Sequence, residues 1–145
     1  MPTVLDILAS KGSHVHWIGP DATVLEATQV MNEQKIGALV VLDGVHVAGI
    51  FTERDVLRRV VVERRDPAET PVSEVMTEEV VCCTLATAVP EARGSMKNRR
   101  IRHLPVVDGD RKILGMVSIG DLNAHETASQ EQTIHLLHEY LYGRV

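Results

Sequence analysis

Aromatic residues make up only 3% of this 145-residue chain, too few for a platform on which nucleic-acid bases could stack. Cysteine is scarcer still: Cys82 and Cys83 are the two present and they are adjacent. They form neither a staple across the fold nor the spaced pairs of a zinc site, and they read as reduced, buried strand residues. No apolar run nears the ~18 residues of a membrane-spanning helix, and no basic-then-apolar leader opens the chain, which points to a cytoplasmic address. Positive charge is not gathered into arms and the net charge is −5. Neither a nucleic acid nor an anionic membrane is therefore expected as a partner. Catalytic signatures are missing too. There is no Ser/His/Asp order, no pair of acids at a working spacing, no Walker lysine loop and no GxGxxG, so the chain reads as a non-enzyme without catalytic cofactor or metal.

What the chain does have is a repeated stretch. Gly49-Ile-Phe-Thr-Glu-Arg-Asp-Val-Leu57 returns 66 positions later as Gly115-Met-Val-Ser-Ile-Gly-Asp-Leu122. Each copy reads as a buried strand running into a helix, with a hydroxyl (Thr52, Ser118) and a carboxylate (Asp55, Asp121) at the turn. Ligands of open α/β sheets bind at that end of a strand. A carboxylate there can accept the paired hydroxyls of a ribose, and free helix amides suit a phosphate. Alternatively both acids simply cap their helices.

The duplication extends beyond this motif. A shift of 65 pairs Val24 with Val89, Ala27 with Ala92, Met31 with Met96, Leu39 with Leu104 and Asp43-Gly44 with Asp108-Gly109, and one extra residue then enters the second hairpin. Thr3–Gly12 reads as a short capped amphipathic helix and Val72–Met76 echoes it. His14–Ile18 reads as a strand, with Val80–Thr84 in its place in the second copy. Thr23-Val-Leu-Glu26 is a capping box opening a helix, and Gly37–Leu42 and Val47–Phe51 flank a hairpin turn. His14 and His16 share a strand face, and His135 and His138 lie three apart on a helix. Neither reads as a metal site: no carboxylate or third imidazole lies near His14 and His16 in sequence, and His135 and His138 read as surface or packing histidines. Glu131–Tyr142 forms a broad apolar helix stopped by Gly143, which must return to its own core or join a second subunit. The chain thus divides into a first repeat with its N-terminal helix (1–66), a charged, solvated linker (67–71), a second repeat (72–125) and a C-terminal helix (126–145).

The doubled GxxT-x-x-D pattern, with Arg102-His-Leu-Pro-Val-Val-Asp108, resembles the cystathionine-β-synthase (CBS) domain pair, or Bateman module, over about residues 4 to 125. The resemblance implies an α/β (α+β) fold, two βαββα repeats packed through their sheets with pseudo-two-fold symmetry. It further implies a regulatory, signal-transduction homodimer that binds AMP, ADP, ATP or NAD in clefts between the repeats and reports to a regulated protein. The alternative is a structural, protein-interaction dimer whose clefts are empty of function.

Carried onto this chain, the family pattern makes Asp55 and Asp121 ribose carboxylates, Thr52 and Ser118 hydroxyls near ribose or phosphate, and Ile50 and Met116 flanks of the adenine. Thr23 and Ala27 would line the cleft of Asp121, and Thr87 and Ala92 that of Asp55. Arg102 and His103 match phosphate-contacting positions, with solvated strand-edge polarity as the other reading. Arg54 would serve the first cleft, and Gly120 would admit a phosphate to the backbone. The cationic pair makes the Asp121 site the expected tighter one for a phosphorylated ligand.

Overall fold

Two small sheets carry the fold, and the computed structural model describes residues 1–142. Helix α1 (Val4–Lys11) is opened by the Asp6 carboxylate, which accepts the Thr3 amide at 2.8 Å, and it ends at Gly12 with φ 95°. Strand β1 (Trp17–Ile18) runs parallel to β2 (Ala38–Asp43), which pairs antiparallel with β3 (His46–Thr52). Between β1 and β2 lies α2 (Val24–Gln34), capped by the Thr23 hydroxyl accepting the Glu26 amide. Helix α3 (Glu53–Asp55) follows β3 directly and continues as a π-helical stretch, Val56–Val61. After a 3₁₀ turn (Val72–Glu74), the second half presents α4 (Val89–Arg99), the antiparallel pair β4 (His103–Val107) and β5 (Ile113–Ser118), and α5 (Ile119–Tyr142). The first strand expected here, around Val80–Thr84, shrinks to one parallel bridge between Cys83 and Val106.

The halves match down to their irregularities. The β2–β3 ladder slips between Val41 and Leu42, and the β4–β5 ladder slips between Val106 and Val107, the same place after a shift of 65. Helices α2 and α4 both end on a left-handed residue, Lys35 at φ 55° and Arg100 at φ 54°, although neither is the glycine that usually fills such a cap. The hairpins, by contrast, differ. Asp43 pairs with His46 across a tight turn, whereas the second loop, one residue longer, is held by the Asp108 carboxylate accepting the amides of Asp110 and Lys112.

The halves also exchange their opening segments. Val4, Ile7 and Leu8 of α1 lie in the core of the second repeat with Val89, Ala92, Leu104, Val117 and Leu122. Val72, Val75 and Met76 lie in the core of the first with Val24, Leu39, Phe51 and Val60. Main-chain bonds secure both exchanges: the Val4 amide donates to Thr87 O at 2.9 Å, and the Val24 amide to Thr70 O at 2.9 Å. The N-terminal helix, grouped with the first repeat by chain order, thus completes the second, because its apolar stripe is buried there.

Gly49 and Gly115, which begin the two copies of the repeated stretch, lie under this exchange. A Cβ on Gly49 would sit 2.6 Å from the Met76 sulfur, and one on Gly115 2.9 Å from Leu8. A third cluster of Val40, Leu42, Val47 and Val107, with Ile113 and Met116 against it, joins the sheets of the two repeats.

Two further expectations change. The linker is exposed through Glu69, but Thr70 is buried, its hydroxyl donating to Asp66 O at 2.7 Å. The C-terminal helix is not a separate element, since α5 runs unbroken from the second repeat's last strand. Its far half leaves Ile134, Leu136, Leu137, Tyr140 and Leu141 exposed, so it does not return to its own core. Gly143, read as the stop, lies outside the described residues.

Candidate functional site

Each repeated motif forms the same local structure. The Thr52 amide donates to Asp55 Oδ2 at 3.0 Å, and the Asp55 amide returns a bond to Thr52 Oγ1 at 3.3 Å. Ser118 and Asp121 do likewise at 2.8 and 3.1 Å. These are reciprocal capping boxes at the N-termini of α3 and α5, so capping accounts for one oxygen of each carboxylate. The other partners set the two sites apart.

Asp55 is sealed. Its side chain is 7% exposed, its Oδ1 accepts the Thr77 hydroxyl at 3.1 Å, and the Arg59 Nε stands 3.8 Å away while donating through Nη1 to Met76 O at 2.7 Å. The arginine that reaches this acid is therefore Arg59, one helical turn on. Arg54, expected as a cationic lining of the first cleft, is exposed.

Asp121 is open on one side. Its side chain is 26% exposed, and Lys11 at the end of α1 donates to its Oδ2 at 2.7 Å and to Met116 O at 2.7 Å. Among the described residues no hydrogen bond reaches Oδ1. Partial burial pushes this carboxyl up, but the bonds from Lys11 and the Ser118 amide outweigh that and hold it below the ordinary carboxylate range.

A hollow of about 190 Å³ adjoins Asp121, lined by Lys11, His14, Val15, His16, Ile36, Ala38, His103, Met116, Ser118 and Asp121. Four of the expected residues are thus brought together: Asp121, Ser118, Met116 and His103. Burial, and then the neighbouring Arg102 charge, lower the His103 pKa and so favour the neutral ring. A larger hollow of about 630 Å³ lies between α2 and α3, lined among others by Met31, Ile36, Glu53 and Leu57, and touches neither carboxylate.

The remaining assignments are corrected by geometry. Ala27 and Ala92 are fully buried inside their own repeats and cannot line the opposite cleft. Thr23 caps α2, and the Thr87 hydroxyl accepts the Thr84 amide. Arg102 is exposed, and so is Gly120. Asp55, Thr52, Ile50 and Arg54 line neither hollow.

The sequence reading missed Lys11, Val15, Ile36 and Ala38, and weighed His14 and His16 only as a metal pair, which it set aside. Their rings meet edge to face at 4.6 Å. One signal was available. Aligning Val72–Met76 with Val4–Leu8 sets Thr77 opposite Ala9, so the hydroxyl that seals Asp55 has no counterpart at Asp121.

The CBS domain family model matches residues 5–62 and again 72–128. The chain is a CBS domain pair. The CBS domain-containing protein CBSX3, mitochondrial, of Arabidopsis thaliana is 37% identical over 150 residues, covering 97% of this chain and 72% of that protein. The crystal structure of the CBS-domain containing protein ATU1752 from Agrobacterium tumefaciens superposes with a TM-score of 0.79 at 36% identity, over 86% of this chain and 99% of that one. The CBS domain pair of protein MJ0100, solved in complex with 5′-methylthioadenosine and S-adenosyl-L-methionine, matches at a TM-score of 0.76 over 89% of this chain and 98% of that one. At 22% identity that likeness speaks to the fold. CBS pairs of this kind are regulatory or signal-transduction modules. No helix among the described residues is long and apolar enough to cross a membrane.

Proposed function

We propose that this CBS pair is a regulatory module that binds an adenine nucleotide, AMP, ADP, ATP or NAD, in the Asp121 hollow and reports its occupancy to a partner protein. The observation that carries the reading is the composition of that hollow. An acid with a free oxygen suits a ribose, the apolar Val15, Ile36, Ala38 and Met116 suit the faces of a base, and Lys11, His14 and His16 supply donors for a phosphate. The complex of the MJ0100 pair with two adenosine compounds is consistent with this. Asp55, already satisfied by Thr52, Thr77 and Arg59, serves as structure, which makes one nucleotide per chain the expected stoichiometry.

Thermal melts with AMP, ADP, ATP, NAD and S-adenosylmethionine test it. A true ligand at 100 times its dissociation constant adds ~2.7 kcal/mol of stability, and Asp121→Ala removes most of the shift. A shift untouched by that substitution overturns the assignment. The exposed apolar residues of α5 support a second, compatible reading, that two copies of the chain associate through this helix.

A further inference from the structure

The Lys11 ammonium holds two acceptors at once, Asp121 Oδ2 and Met116 O, each at 2.7 Å. The side chain thus stands across one oxygen of the carboxylate and a main-chain carbonyl, acceptors of the kind that a ligand's hydroxyl and amino groups use. With Lys11 in place the hollow measures about 190 Å³, below the ~300 Å³ at which pockets for drug-sized ligands begin. A whole nucleotide needs more room than this, and movement of the Lys11 side chain off these acceptors supplies part of it.

Resting on the nucleotide reading of this site, we infer that Lys11 is a displaceable counter-ion that makes the hollow select phosphorylated ligands. An uncharged nucleoside that displaces Lys11 sends the ammonium to water and forfeits a charge-assisted bond. A nucleotide carries an anion with which Lys11 pairs again, and His14 and His16 on the same lining add donors. The movement is local. Lys11 ends α1, its side chain is 33% exposed, and Gly12 follows at φ 95°, while Val4, Ile7 and Leu8 stay in the core.

Calorimetric titration of the full chain with AMP, adenosine and 5′-methylthioadenosine tests this. The wild type prefers AMP over both uncharged compounds by about tenfold or more, the weight of one charge-assisted bond. In Lys11→Met, AMP binds more weakly and adenosine more tightly, bringing the ratio within about threefold. Lys11→Arg, which keeps the cation, retains the preference, and melts of both variants report folding. An unchanged ratio in Lys11→Met overturns the inference, as does a wild type that favours 5′-methylthioadenosine over AMP, and both results leave the adenosine reading standing. Failure of every adenosine compound to bind the wild type defeats the reading of the site itself.

Discussion

Asp55 and Asp121 begin from one motif and end in different chemistry because of the residues that close over them. Thr77 and Arg59 complete the shell of Asp55, whereas Asp121 meets the Lys11 ammonium, whose side chain is one-third exposed. Their substitutions should therefore separate stability from binding. Asp55→Ala strands the Thr52 amide and the Thr77 hydroxyl and removes a buried anion that accepts both, a loss of about 1.5–3 kcal/mol in urea unfolding. Its nucleotide affinity stays at the wild-type level. Asp121→Ala shows the reverse order of effects, a smaller loss of stability, about that of one helix cap, and no ligand-induced shift. Equal effects on binding from the two substitutions would contradict the assignment of one acid to structure and the other to ligand. The acids themselves were legible in the repeated motif. Which of them remains open was written only in the Thr77-for-Ala9 difference between the opening segments, whose meaning depends on the fold bringing those segments to the acids.

At the level of elements, periodicity and turn chemistry located the strands, hairpins and helices of both halves, because each buries a regular apolar face. Three elements differ. The strand expected over His14–Ile18 narrows to Trp17–Ile18. Val80–Thr84 is as apolar as a strand should be, but Cys83 alone meets β4. Helix α5 showed no internal boundary because no glycine or proline interrupts it between Gly120 and Gly143, and a helix in progress extends one hydrogen bond per residue until something stops it.

The extension carries Ile134, Leu137 and Leu141 at three- and four-residue spacing, 54–66% exposed. One stripe of this kind is self-complementary under a two-fold axis, which makes a second copy of the chain the fitting occupant. Sedimentation velocity should show a dimer for the wild type and a monomer for Leu137→Glu. That variant should keep its thermal stability when compared at low concentration, since nothing in its own repeats covers Leu137. A wild-type chain that sediments as a monomer at every concentration would remove this pairing.

Across the whole molecule, the exchange of opening segments makes each repeat dependent on the other's side of the chain. Helix α1 fills the second core with Val4, Ile7 and Leu8 and also delivers Lys11 to Asp121, so site and core share one element. Occupancy of the hollow can thus bear on how α1 is held, a route by which a bound nucleotide changes the surface that a partner meets. The dependence has a measurable signature. Leu8 is 7% exposed and lies against Gly115, so Leu8→Ala opens a cavity that costs about 2–5 kcal/mol. If the exchange holds, the loss appears first in the second repeat, although Leu8 is nearer the first in sequence. Amide exchange should accelerate through α4, β4 and β5 before it does through α2, β2 and β3. Acceleration confined to the first repeat would mean that α1 belongs with its sequence neighbours, and Lys11 could then not stand where it is needed.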